Sequence, residues 1–303
     1  MSTPAERWKT TEPWRLPYSS RELISICAKG LEIPKVWTAH EFLVKGRLLI
    51  LAIDRIAKLT QRRAAPHVAR TAQKVFAGQL ESVIDRAKRR APGMRKPTAE
   101  DAIDILVPQH EAIWMQALDE VMKESGHDVV LEIVPPVQSV MAQGYSKVGI
   151  LLGHEADPDR NGVLAREAQG IANKITRIND TTRRQFETAI RDSIEQGHTV
   201  TELAQRLRDD LLPMQHRRSL TVARTELNNA FTRGSATAFK ESNTLATVSI
   251  IGCEAEEDNS PQYAGRSTCN FPNLPVTEID AFLDVGFHVN HSGSMVPSSF
   301  REA

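Results

Sequence analysis

LTVARTELNNAFTRGSATAFKES, residues 220–242, is the stretch around which the rest of the chain is organised. Leu220, Ala223, Leu227, Ala230, Phe231, Gly234 and Ala238 recur at helical spacing and form one apolar stripe. The stripe narrows to small residues at its C-terminal end, where a neighbouring helix can approach closely. Arg224, Glu226, Asn228 and Asn229 fall off the stripe, where such side chains could bind partners. Periodicity alone gives a core helix with a solvated back.

Outward from this helix, the preceding region is helical as well. Leu164, Ala168, Ile171, Ile175, Ile178, Ala189 and Ile194 mark a long helix that Asn179-Asp180 interrupts and Gly197 stops. Thr199 and Glu202 form a capping box for a helix over 200–212, which Pro213 closes. Its wording, GHTVTELAQRL, has the look of the first helix of a helix-turn-helix, but no tight turn with a short recognition helix follows. Packing is the better reading. On the other side, residues 244–252 (TLATVSIIG) are β-branched and alternating, which predicts a strand. A loop-rich tail carries Cys253, Cys269, His288 and His291.

The wording ARTELNNAFTRGSATAF, the strand after it and the Cys/His tail together resemble the phage head morphogenesis family, the Mu F-like minor head proteins. The resemblance covers roughly residues 163–297 and matches the family's Ala-Arg-Thr-Glu motif at Ala223, Arg224, Thr225 and Glu226. Family members commonly end in cysteines followed by a His-Pro-x-Cys segment. Here that place reads His288-Val289-Asn290-His291, with His where Cys is usual. The resemblance implies a phage minor head protein, not an enzyme, made in the host cytoplasm and carried into the virion head. Its implied partners are the portal protein and a major capsid or scaffold protein, and it would oligomerise only in the assembled particle. Arg224 and Glu226 would then hold the acidic strand and tail against the helix.

The four tail residues carry the sharpest chemical expectation. Two thiolates and two imidazoles suit tetrahedral zinc. Neither cysteine sits in a Cys-x-x-Cys pair, so the pattern is looser than a finger. The alternative is a loop pinned by hydrogen bonds, with Cys253 buried as a small apolar residue. Four protein ligands would leave no position for substrate, so the metal would be structural. A hydrolase would need Cys269 with His288 as a thiol–imidazole pair, or Glu254 or Asp258 with His291 around a metal-bound water. No motif fixes such a geometry.

Upstream, residues 1–34 read as an extended arm with Trp8, Trp14 and Tyr18 among prolines, and residues 35–153 as a basic helical domain. Residues 36–61 carry a helical stripe, and Pro66 restarts a second helix. Residues 54–96 hold 12 Lys/Arg and 3 Asp/Glu, a local charge of +9, densest at Arg86, Lys88, Arg89 and Arg90. Phosphate or an acidic protein surface suits such a run. Thr98 and Asp101 suggest a helix start, Gly126 an end, residues 129–134 a strand or linker, and Pro135-Pro136 a stop. Residues 154–162 (HEADPDRNG) mark a domain boundary before the segment 163–303. Asp157, Asp159, Asn161 and Gly162 open like a calcium loop, but Ala168 stands where the twelfth-position carboxylate belongs, so an acidic helix-capping turn is the better reading.

Bulk properties limit the rest. The 303 residues have volume for one large or two ordinary domains. Lys+Arg and Asp+Glu are both 38, which disfavours a chain whose whole surface coats nucleic acid. Residues 254–284 carry 7 acids and 1 base, opposite in sign to the N-terminal helices. Three cysteines, Cys27, Cys253 and Cys269, make no disulfide framework. The first residues lack the apolar segment of a signal peptide, and no membrane partner is expected. The fold class expected is mainly α with a small β and loop-rich C-terminal cap. Two further functions compete: a metal-dependent hydrolase and a sequence-tolerant DNA-binding protein.

Overall fold

The computed structural model describes residues 46–91, 107–153, 180–242, 245–253, 261–288 and 291–300. The arm 1–34, the cap signal at Thr98, the boundary 154–162 with its calcium-like loop, and Cys27 lie outside them. The architecture is mainly α with a small antiparallel sheet near the C-terminus. Helix α1 is Arg47–Arg90, α2 is Val107–Leu151, α3 covers 180–195 and α4 is Val200–Glu241. The cap follows: β1 Leu245–Ile251, β2 Gln262–Tyr263, β3 Arg266–Ser267, β4 Leu274–Pro275, a 3-10 turn Val276–Glu278, α5 Ile279–Val285 and β5 Ser294–Phe300.

The helices are longer than local rules dictate. Pro66, Pro135, Pro136 and Pro213 all lie inside helices where stops were expected. An interior proline removes one hydrogen bond to the carbonyl four residues earlier and crowds it, at about 3 kcal/mol or more. Pro66, Pro135 and Pro213 are each exposed, so the carbonyl that loses its donor lies on a face open to water. The flanking turns are buried (Val68 and Ala69, Ile133 and Val134, Leu211 and Gln215), and that packing offsets the lost bond. Residues 129–134, read as a strand or linker, and Gly126, read as an end, belong to α2 for the same reason. The local signals that survive are those nothing opposes. Gly197 has φ of 72° and ends α3. Thr199 N–H donates to Glu202 Oε2 at 2.8 Å, and Glu202 N–H donates to Thr199 Oγ1 at 3.2 Å, completing the capping box.

Two compact units form, neither of them a single stretch of chain. One takes residues 61–141 and 159–230, the other residues 1–60, 142–158 and 231–303. The consecutive segments 35–153 and 163–303 therefore each contribute to both.

The first unit has an apolar core that includes Leu80, Ile84, Trp114, Leu118, Phe186, Ile190, Leu203 and Leu207, all at most 1% exposed. The stretch read as a decoy for DNA recognition supplies Val200, Leu203, Ala204 and Leu207 to that core, so it packs.

The second unit holds the sheet, ordered β4-β1-β5. Val248 pairs with Leu274, and Ile250 with Met295, all antiparallel. Leu245, Val248 and Ile250 of β1 are buried. Pro275 and Pro297 fall on the two edge strands, where no ladder donor is missed. Residues Ala264 (φ 49°) and Gly265 (φ 76°) make a two-residue turn between β2 and β3, with positive φ at both positions as such hairpins require. Within this unit Gly144 of α2 sits against α4: a Cβ there would stand 2.6 Å from Phe231 O. The missing side chain of Gly144, on α2, is what admits this approach.

Besides running through Pro213, α4 differs from expectation in its burial. Residues 222–239 are buried on nearly every side, with only Arg224 exposed and Thr225 and Arg233 half-buried. Glu226, Asn228 and Asn229 are therefore interior, not a solvated back, and Gln61 Nε2 donates to Asn228 Oδ1 at 2.5 Å.

Candidate metal centre

Strand β1 delivers the first ligand. Gly252 follows it with φ of 76°, a left-handed turn that suits glycine, and Cys253 comes next. Asn270 clamps the backbone of Cys253 twice: Cys253 N–H donates to Asn270 Oδ1 and Asn270 Nδ2 donates to Cys253 O, both at 3.1 Å. Asn270 itself has φ of 52°, a conformation Asn tolerates. Cys269 is adjacent, its N–H held by Ser267 Oγ at 3.1 Å, and Ile250 N–H donates to Phe271 O at 2.8 Å, laying residues 269–271 beside β1.

The imidazoles arrive from the other side. α5 ends at Gly286, and His291 N–H donates to His288 O at 3.2 Å, closing the single turn that His-x-x-His predicts. Gly293 is required: a Cβ there would lie 2.8 Å from both Cε1 and Nε2 of His291. Ser294 Oγ donates to Asp54 Oδ1 of α1 at 2.9 Å and fixes the start of β5. Phe287 stacks on the His291 ring at 4.1 Å between centroids and 8° between planes. Phe271, Phe282 and Phe287 continue in edge contacts of 5.2 and 5.8 Å. The cap thus has an aromatic core of its own.

The four ligand atoms lie within 4.8 Å of one another. Cys253 Sγ is 3.1 Å from His288 Nε2, Cys269 Sγ is 3.3 Å from His291 Nδ1, and the sulfurs are 3.2 Å apart. A disulfide would need about 2.05 Å, so these are two thiols. Metal bond lengths of about 2.3 Å to sulfur and 2.0–2.1 Å to nitrogen give a tetrahedron with edges of about 3.3–3.8 Å. The contacts are close to that size, so the donor set fits a divalent ion of zinc type. Cys253, Cys269 and His291 are buried and His288 is half-buried. His291 has its pKa pushed down to about 3, first by burial and then by the neighbouring His288. The ring is held neutral, the form a metal takes. His291 Nε2 has no hydrogen-bond partner among the described residues, so the buried ring lacks ordinary polar compensation.

The thiol–imidazole pair that a hydrolase would need, Cys269 with His288, is not the closest one: His288 Nε2 lies against Cys253 Sγ, and His291 Nδ1 against Cys269 Sγ. Glu254 and Asp258 lie outside the described residues. Arg224 is exposed and enters no ion pair among the described residues. Contacts from α4 to the cap run instead through Arg233, which donates to Leu283 O at 3.1 Å, and Lys240, 2.6 Å from Asp280. Of the basic run, Arg86 pairs with Glu120 and Glu124, and Arg90 with Glu120 at 2.6 Å. Arg89 donates to Asp85 O at 3.3 Å. Sequence reasoning found the four candidate ligands but missed Asn270, Phe287, Gly293 and Asp54, which no motif marked. No helix among the described residues is long and apolar enough to cross a membrane. The chain matches no family model, no curated protein and no solved structure.

Proposed function

We propose that this chain is a phage minor head protein that acts in procapsid assembly by protein–protein binding, with a structural zinc ion in its C-terminal cap. The single observation carrying the zinc reading is the convergence of Cys253, Cys269, His288 and His291 on one buried point. When bound, the metal supplies a cross-link between strand ends. The chain's residues do the rest: Asn270 holds Cys253, the turn from His288 to His291 presents two rings, and Gly293 leaves room for one of them. Four protein donors complete a tetrahedron, so substrate has no position and the cap is a fixture. The head reading is supported by the Ala223–Glu226 motif on a helix buried nearly all round, followed by this cap. Its partners are the portal protein and a major capsid or scaffold protein, in the host cytoplasm and then the virion head.

The test has two arms. Co-expression with the portal protein of the same genome should give a complex that co-elutes and is lost on deleting the cap. Metal analysis should return one zinc per chain, and chelation should unfold the cap. Turnover on a phosphoester or peptide substrate that chelation abolishes while the fold persists would overturn the reading in favour of a metal-dependent hydrolase.

A further inference from the structure

The densest basic run of the sequence is half paired, through Arg86 and Arg90, and a sparser one, from Arg62 to Lys74, enters no ion pair among the described residues. Residues 55–80 hold six Lys/Arg and no acid. Within the unit built on 61–141 and 159–230, Arg62, Arg63, Arg70 and Lys74 of α1 are exposed and enter no ion pair among the described residues. Arg70 makes one local bond, Nε to Pro66 O at 3.1 Å. Arg63, His67, Arg70 and Lys74 follow one another at steps of four, three and four, so they share a face. α4 extends it. His216 Nδ1 is 3.2 Å from Gln73 Oε1 of α1, and Arg217 beside it is exposed. Residues 211–225 of α4 also lack any acid. The acids across the adjoining groove are Glu124, which Arg86 pairs, and Glu132.

We infer that Arg62, Arg63, Arg70 and Lys74 of α1, with Arg217 of α4, form a contact surface for the phosphate backbone of duplex DNA. From Arg62 to Lys74 the helix rises about 18 Å, a rigid row of cations at fixed spacing. The apolar side chains of this stretch of α1, Val68, Ala69 and Ala72, are buried, and Met214, one turn from Arg217 on α4, is a single exposed apolar side chain against five cations, short of the clustered anchors that carry protein-interface energy. The only aromatic ring exposed along the row from Arg62 to Lys74 is the imidazole of His67, with no Phe, Tyr or Trp, so stacking on single-stranded bases has one small platform at most. What is left is sequence-tolerant charge pairing with a stiff polyanion. This surface is distinct from Arg86–Arg90 and does not rest on the head-assembly reading.

The experiment is fluorescence anisotropy of the full chain on a random-sequence 30-base-pair duplex from 50 to 200 mM salt. Four to five phosphate contacts give a log–log slope of about −4 and a fall of about 10²-fold in affinity over that range. The R62Q/R63Q/R70Q/K74Q variant should bring the slope to about −1. The single R63Q change should reduce it by about 1, and an R86Q/K88Q/R89Q/R90Q variant should leave it near −4. Circular dichroism checks that each variant is folded. An unchanged slope in the first variant, a larger loss in the Arg86–Arg90 variant, tighter binding to single strands, or binding to polyglutamate but not to duplex would each overturn the inference.

Discussion

The cap and the Trp114 core solve the same problem with different materials. The core buries Phe186, Leu118, Ile84 and Leu203 beside Trp114, and its stability scales with apolar area. The cap strings short strands around four polar ligands and a few aromatic rings. Stability in the first case is spread over many contacts, each worth little. In the second it is concentrated in a few groups whose protonation and ligation can be changed. The core is therefore robust to solution conditions, and the cap is conditional on them.

The largest predicted effect is on the cap. Cys269→Ser, or chelation, removes a cross-link of the kind worth about 10–16 kcal/mol in isolated zinc modules. Amide exchange should show Leu245–Ile251 and Ser294–Phe300 losing protection while Leu203–Leu211 keep theirs. Equal loss in both would end the contrast. Acid should act on the cap in the same direction. The folded-state pKa of His291, about 3, lies below its ordinary value, so its contribution is fully present above about pH 6.5 and drains away as pH falls toward 3.

Trp114→Ala comes next, at about 3–5 kcal/mol, read as a lowered urea midpoint. It should be indifferent to chelator. Gly293→Ala sharpens the comparison from the cap's side. Its Cβ meets the His291 ring at 2.8 Å, and the overpacking should cost about 1–3 kcal/mol and weaken zinc affinity measured by competition. The smallest effect is Thr199→Ala, which removes one of the two capping-box bonds at the start of α4 and should cost about 1 kcal/mol by thermal melting.

Legibility followed the range of the interaction. Gly197, Thr199 with Glu202, and strand β1 act through neighbours in sequence, and each stands where its residues placed it. The prolines misled because their cost is local while the packing that offsets it is not. The four ligands were legible as residue types; which thiol faces which ring was not. The basic residues show the same division. Charge density pointed to Arg86–Arg90, yet Glu120 and Glu124 of α2 pair Arg86 and Arg90, and among the described residues no ion pair meets Arg62, Arg63, Arg70 or Lys74.

From its residues alone the chain is committed to amphipathic helical segments, a β-branched strand, a Cys/His tail and a basic region over 54–96. Rules acting over one or two helical turns are enough for that. Helix continuity through proline, the burial of Glu226 and Asn228, the assignment of partners to each charge and the closing of four ligands on one point belong to the tertiary structure. Those outcomes depend on distances through space between residues as far apart as Asp54 and Ser294, which spacing along the chain does not encode.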